Sequence, residues 1–364
     1  MANDRIRFER LPRPDRPARE VLFITNMWPD EVRPYYGSFI ASQAHSLAAA
    51  GVGVDVVYVR GYLGWRTYAE ALAAVPREAR RRRYDLVHVH YGHTAAVSLG
   101  VLQRPLVISF CGEDVLGVPR DFSSDLKWRQ SDNTLKSRIE MACFRQLGRI
   151  ADATITKSVE MEEALPASLR ARNHVLPNGV DLERFAPRPR AEARSQLGWD
   201  PAEKVMLFLG NPDDPRKNVG LARRAAELVG ARVPGARLQI AWAIEPEDVP
   251  TYMNAADCLL FASRSEGSPN AIKEAMACAM PIVSTPVGDV PERLGGVEGC
   301  FMREPEPEAF ADALVQALDV GRAPAAREAV AELSVERIAD RLQRIYDQAG
   351  APRRGTTTPE MATA

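Results

Sequence analysis

Residues 257–285 read DCLLFASRSEGSPNAIKEAMACAMPIVST, and this stretch decides the fold. Its opening, DCLLFAS, is a short apolar run closed by small residues, the pattern of a buried strand. Ser268-Pro269-Asn270 then starts a helix, because proline suits the first turn, where its missing N–H costs nothing. PIVST is the next strand. A strand, a helix and a second strand in so short a span make a parallel crossover unit. Two glutamates, Glu266 and Glu274, flank the turn. A solvated helix face would account for such a pair. Their position after a strand end points instead to a cleft, where open α/β sheets bind ligands.

The same alternation extends in both directions. Upstream run the strand VMLFLG, the helix NVGLARRAAELVG, the strand RLQIAW and the helix EDVPTYMNAA. The first half repeats it: strand EVLFITNMW (20–28), helix GSFIASQAHSLAAAG (37–51), strand VDVVYVR, helix LAAVPREARRRRYD, then LVHVHYG, PLVISFCG and ADATITKS. The expected fold class is α/β, with two Rossmann-like doubly wound domains facing a cleft. The pattern pauses at PNGVDLERFAPRPR, an Asn-Gly turn and a proline-rich stretch that place the linker between Asp181 and Ser195. The expected division is 1–185, 186–350, and a polar, disordered tail over 351–364. The amphipathic pattern over 325–349 can pack on either domain.

Composition narrows the function classes. The 364 residues suit two domains, and 46% apolar content supports sizeable cores. A net charge of -1 provides no global field for nucleic acid, so no nucleic-acid partner is expected. Five scattered cysteines without a C-x-x-C pair read as reduced and intracellular, hence cytoplasmic, and with five histidines they form no recognisable metal pattern. The charged, proline-rich start lacks the apolar core of a signal peptide, and no stretch approaches the ~20 apolar residues that span a bilayer.

Several residues could carry chemistry. After VMLFLG, Arg216 and Lys217 stand at the entry to a helix, whose free amides already attract anions. The pair reads either as a diphosphate site or as surface bases in a solvated turn. Glu266 and Glu274 can accept pairs of hydroxyl donors, as on ribose or hexose, and the amides from Ser268 to Ala271 can hold phosphate between them. His90 and His93 follow a strand end and could reach the cleft or be structural. His88 lies within the strand. GVGVDV (51–56) precedes a strand and lacks a third glycine, which rejects a dinucleotide fingerprint.

EGSPNAIKE, followed by AMACAMPIVST and a Gly-Asp-Val turn, resembles the retaining glycosyltransferases of the GT-B fold, the glycosyltransferase group 1 or family 4 type. The tail VGDVPERLGGVEGC resembles the enzymes of capsule, teichuronic-acid and exopolysaccharide biosynthesis. NHVLPNGVDLERFAP, VMLFLGNPDDPRKN and ADATITKSVEM resemble further segments of that family in the same order, over roughly Val21 to Cys300. The resemblance implies a nucleotide-sugar donor, UDP- or GDP-linked, as substrate and no separate cofactor. It places Lys217 on the donor diphosphate, with Gly210 at the strand end and Ser268, Pro269, Asn270 and Ala271 at the helix start. Glu266 matches the residue that contacts the transferred sugar, and Glu274 the one that binds ribose. Gly37, in RPYYGSF, matches the glycine that lets backbone approach the donor phosphates. Three departures stand out. Asn211 occupies the usual arginine position, for which Arg216 can substitute. Cys111 stands where the family has a histidine. The segment after RLQIAW is shorter than usual. Asp114 and His93 become candidates on the acceptor side.

The implied reaction moves a sugar, with retention and without a metal, to a glycan, lipid-linked or small-molecule hydroxyl. A nucleotide-sugar 2-epimerase of the same fold and a non-catalytic nucleotide-sugar-binding module are the alternatives. The basic run REARRRR (77–83), with LKWRQ and LKSRIEMACFRQLGR and their Trp128 and Phe144, suits an anionic membrane surface or a solvated helix, so peripheral membrane attachment is expected beside a free cytoplasmic state.

Overall fold

The computed structural model describes residues 5–101, 105–117 and 135–350. The first sheet holds seven strands: β1 (Ile6–Arg10), β2 (Arg19–Thr25), β3 (Val52–Val59), β4 (Leu86–His90), β5 (Leu106–Ser109), β6 (Ala153–Thr156) and β7 (Asn173–Val175). Their spatial order is β1-β3-β2-β4-β5-β6-β7. All eight residues of β3 are buried, as a strand covered on both faces requires. The second sheet holds β8 (Lys204–Leu209), β9 (Ala236–Ala241), β10 (Cys258–Phe261), β11 (Ile282–Ser284) and β12 (Cys300–Met302), all parallel, in the order β12-β11-β10-β8-β9. Both sheets reverse their winding once, between β2 and β4 and between β8 and β10. The crevice at such a reversal is where ligands enter.

One strand departs from the expected parallel sheet. β1 pairs antiparallel with β3, Ile6 opposite Val59. Its sequence, IRFER, has no apolar run, so the charged start concealed it. An edge strand tolerates those charges, and they discourage pairing with another chain. Arg13 bridges Glu20 at 2.5 Å and also reaches Asp55, which tethers the segment after β1 to its neighbours.

The chain crosses between the sheets twice. On the way out, Val180 N donates to Leu333 O at 2.9 Å, and on the return Val335 N donates to Val180 O at 3.1 Å. Gly179 sits in this crossing with Val335 Cα only 3.0 Å from where a Cβ would stand. The closing helix, Val335–Gly350, then packs on the helix Ser38–Ala49 and behind β5 and β6. Tyr346 Oη hydrogen-bonds His88 Nδ1 at 2.7 Å, and His88 Nε2 hydrogen-bonds Ser109 Oγ at 2.8 Å. The span 186–350 therefore does not stay with the second sheet: its last helix completes the core of the first.

Candidate active site

The loops that follow β8 and β10 form one side of the cleft. After β8, Gly210 takes a φ of +151° and packs against the Lys217 methylenes, with Lys217 Cγ 3.5 Å from where a Cβ would stand. Asp214 accepts from the Arg216 backbone N–H at 3.0 Å and caps the single 3-10 turn Pro215–Lys217. That turn aims both cations into the cleft. Lys217 Nζ donates to Glu266 Oε1 at 2.6 Å. Arg216 is held by Asp214 at 2.7 Å and by Glu113, which comes from the first sheet. Its guanidinium is locked in the charged form chiefly by the Asp214 hydrogen bonds. The Arg216–Glu113 pair bridges the cleft.

Beside these groups lies a cavity of about 430 Å³, lined by Tyr36, Tyr68, Tyr91, His93, Cys111, Glu113, Arg216 and Glu266. It contains residues from both sheets. The Cys111 thiol is pushed above its usual range by burial and by the nearby Asp114 carboxylate, so it enters the cavity as a neutral thiol. His93 stacks on Tyr91, with ring centroids 5.3 Å apart, and meets the edge of Phe144 at 4.8 Å. Phe144 is buried there, so it adds nothing to an outer basic face, and Trp128 lies outside the described residues.

A second, narrower cavity of about 240 Å³ opens between the strand ends of the second sheet and the first domain. Tyr35, Gly210, Trp242, Asn270, Ala271 and Glu274 line it. Tyr35 and Trp242 meet across the mouth with centroids 5.1 Å apart. Burial pushes the Glu274 carboxyl up to about 7, with Arg184 and Lys273 opposing the shift. Glu274 and Glu266 thus line separate cavities, with Gly210 and Asn270 in the wall of the one that holds Glu274. Their segment is braced from below: Lys273 Nζ donates to Ser268 Oγ at 2.7 Å, and Ser268 Oγ donates to Asp289 at 2.8 Å. Burial lowers Lys273 to about 8.

Four expectations need revision. Asp114 does not face an acceptor. It is buried, and its carboxylate accepts the backbone N–H groups of Gly92, Cys111 and Gly112 at 3.0, 3.0 and 2.9 Å. It ties the loop after β4 to the loop after β5, and burial raises it to about 6 despite those amides. His90 does not reach the cleft either: it is buried within β4 and hydrogen-bonds Gln43 at 2.9 Å. Pro269 has no N–H, so the helix start offers only the amides of Ser268, Asn270 and Ala271. Gly37 takes a φ of +73°, and a Cβ there would stand 2.3 Å from Met27 C. Its close approach is to its own chain, at the turn that starts the helix Ser38–Ala49.

The pattern of motifs missed other residues. Tyr35, Trp242 and Arg184 line the narrow cavity, and Glu113, Tyr36, Tyr68 and Tyr91 line the wide one. Trp242 and Tyr91 directly follow strands, which could have singled them out, whereas Tyr68 lies within a helix and carries no such signal. Lys157, at the end of β6, is buried within electrostatic reach of Cys111 and Asp114, and burial lowers its pKa. A lysine within a strand pattern carries no signal of that kind.

Two opposed crevices with cations on one wall and aromatic and carboxylate pockets on either side define a glycosyltransferase of the GT-B fold. The chain belongs to the group 1 and family 4 glycosyltransferases. Residues 18–184 match "Glycosyltransferase Family 4" and residues 240–319 match "Glycosyl transferases group 1". It is 28% identical to a D-inositol 3-phosphate glycosyltransferase of Saccharomonospora viridis, over 75% of this chain and 72% of that one. It is 22% identical to TuaC of Bacillus subtilis, assigned to teichuronic acid biosynthesis, over 82% and 88%. The fold is shared with sucrose-phosphate synthase of Thermosynechococcus elongatus, at a TM-score of 0.75 and 18% identity, covering 91% of this chain and 98% of that one. Anabaena HepE in complex with UDP gives 0.66 and 17%, covering 90% and 99%. Among the described residues no helix is long and apolar enough to cross a membrane.

Proposed function

We propose that the chain is a retaining glycosyltransferase that takes a sugar from a UDP- or GDP-linked donor and passes it to an acceptor hydroxyl at the cytoplasmic face of a membrane. The observation that carries this reading is the placement of Arg216 in the wall of the wide cavity and of Lys217 against both Glu266 there and Gly210 in the wall of the narrow cavity that Glu274 lines. A nucleoside fits the narrow cavity, with its base against Trp242 and Tyr35 and its ribose hydroxyls on Glu274. The diphosphate then reaches the amides of Ser268, Asn270 and Ala271 and the two cations. The sugar falls into the wide cavity beside Glu266 and Cys111. Solved relatives with UDP and UDP-glucose lend support to such a donor.

Both carboxylates in the wide cavity are engaged by cations, Glu266 by Lys217 and Glu113 by Arg216. This favours a path without a protein nucleophile. The bond between the anomeric carbon and the phosphate oxygen breaks. The acceptor oxygen bonds to that carbon on the same face, and its proton passes to the departing phosphate oxygen. Lys217, Arg216 and the helix amides stabilise the charge on the leaving diphosphate. They also fill the role that a divalent cation would take, so activity is expected to survive EDTA. The acceptor is a glycan, a lipid-linked sugar or a small polyol.

The test is to incubate the protein with sugar nucleotides and candidate acceptors and read the product linkage by NMR. A product that keeps the donor's anomeric configuration is expected. An inverted product excludes this path. Isomerised donor without any acceptor would establish the 2-epimerase, and donor binding with no nucleotide release would leave a binding module.

A further inference from the structure

We propose that Glu113 binds the acceptor, and that Arg216 covers it until the donor diphosphate draws the guanidinium away. The uncovered carboxylate accepts a hydroxyl next to the reacting one, and so selects an uncharged sugar ring or polyol that carries a vicinal diol. This role rests on the transferase reading and deepens it by naming the acceptor's chemistry.

Retention on one face fixes where an acceptor can stand. Its oxygen must approach the anomeric carbon beside the departing phosphate oxygen, because that oxygen takes its proton. In the cleft this place is next to Arg216. Asp214 holds the guanidinium by Nε at 3.1 Å and by Nη2 at 2.7 Å, while Nη1 reaches across to Glu113. Glu113 is thus a first-domain group on the leaving-group side of the sugar. A nucleophile would have to stand on the opposite face, so this carboxylate is placed to hold an acceptor and not to attack the donor. The turn that carries it abuts the loop of Glu266. Cys111 O lies 3.0 Å and Gly112 Cα 3.4 Å from where a Cβ on Gly267 would stand.

The surroundings of Glu113 suit a polyol. Its side chain is 36% exposed and lines the wide cavity. Tyr36 and Tyr91 line the same cavity. Burial, with the Glu113 carboxylate adding to it, keeps both phenols protonated, so each can donate. Tyr68 Oη accepts from Asn26 Nδ2 at 3.1 Å, which leaves its own hydrogen to offer. Asn26 Oδ1 has no partner among the described residues. Tyr91 keeps its place at a φ of +76°, and strain of that kind in a bulky residue collects at functional sites. Neutral hydroxyl donors around one carboxylate match the donors and acceptors of a sugar. Once Arg216 has turned to the diphosphate, the same carboxylate repels an anionic group at that spot. The acceptor therefore binds after the donor.

The experiment is saturation-transfer NMR titration of the full chain with the methyl α-glycosides of glucose, mannose and galactose and with myo-inositol. Each is titrated with and without UDP or GDP, for wild type, Glu113→Gln, Arg216→Ala and Arg216→Ala/Glu113→Gln. At least one polyol should bind wild type about fivefold more tightly when the diphosphate is present. Glu113→Gln should weaken that binding at least about tenfold. Arg216→Ala should bind the same polyol without any nucleotide, and the double variant should not. Glu113→Gln should also bind the diphosphate about two- to fivefold more tightly, because Arg216 is no longer shared, and this shows that the variant is folded. Absence of polyol binding both to wild type with diphosphate and to Arg216→Ala overturns the proposal. So does polyol binding that Glu113→Gln leaves unchanged. If neither nucleotide binds wild type, the donor reading falls alone, and Arg216→Ala against the double variant still decides for or against Glu113.

Discussion

Glu274, the proposed ribose acceptor, stands in its pocket at a cost to the fold. Burial holds its carboxyl near 7, above the ordinary 4.5 of glutamate. Between those values the folded chain keeps a proton that the unfolded chain has released, so stability falls as pH rises from 4.5 to 7 and stays low above it. Glu274→Gln should therefore raise the melting temperature at pH 8 and change it little at pH 4. Ribose hydroxyls need the ionised form as acceptor, so nucleotide affinity should increase as pH rises through 7, and the glutamine variant should lose that step. Lys217→Ala removes a cation from the leaving diphosphate and should lower kcat by roughly 10²–10³, measured at saturating donor. The two glutamates were legible in sequence because one short segment places both after a strand. The aromatic wall was not: Tyr35, Trp242 and Glu274 come from three distant segments, and only the fold brings them to one pocket. Asp114 misled for a related reason. A carboxylate near a strand end resembles a catalytic group until its amide partners are known, and one of them, Gly92, lies on another loop.

At the scale of elements, the segment after β10 is held by the loop after β11. Gly288 takes a φ of +57°, and a Cβ there would stand 2.6 Å from the Gly267 carbonyl oxygen and 2.8 Å from that of Glu266. Neither the backbone angle nor the space admits a side chain. Gly288→Ala should push the Glu266 loop into the wide cavity and lower kcat roughly 10- to 100-fold, as small misplacements near reacting atoms do. Nucleotide affinity at the narrow cavity should change much less. Steady-state kinetics with nucleotide titration separates the two effects. Elements with continuous apolar runs, such as β3 and β10, were evident from sequence. β1, β7 and β12 were not: IRFER and NHV carry no apolar run, and CFM is only three residues long. They form only as edges against strands already in place.

For the whole molecule, the two crossings at Val180 and Leu333–Val335 are the covalent link between the sheets, and the closing helix anchors them to the first. Its anchor is the buried chain Tyr346–His88–Ser109, which sequence could not pair because its members lie far apart in the chain. Tyr346→Phe leaves a buried His88 nitrogen without its partner and should cost about 1–3 kcal/mol of stability in chemical denaturation, with nucleotide affinity unchanged. The cleft itself is bridged by Arg216 and Glu113, so a donor diphosphate must compete with carboxylates for both cations. The central claim is that Glu274 and Glu266 grip opposite ends of one sugar nucleotide across that cleft. Calorimetric titration of wild type, Glu274→Ala and Glu266→Ala with UDP, GDP and dTDP tests it most directly. One diphosphate should bind wild type, bind Glu274→Ala roughly 10- to 100-fold more weakly, and bind Glu266→Ala nearly as well as wild type. Equal affinity in wild type and Glu274→Ala, or no binding of any of the three, would contradict it.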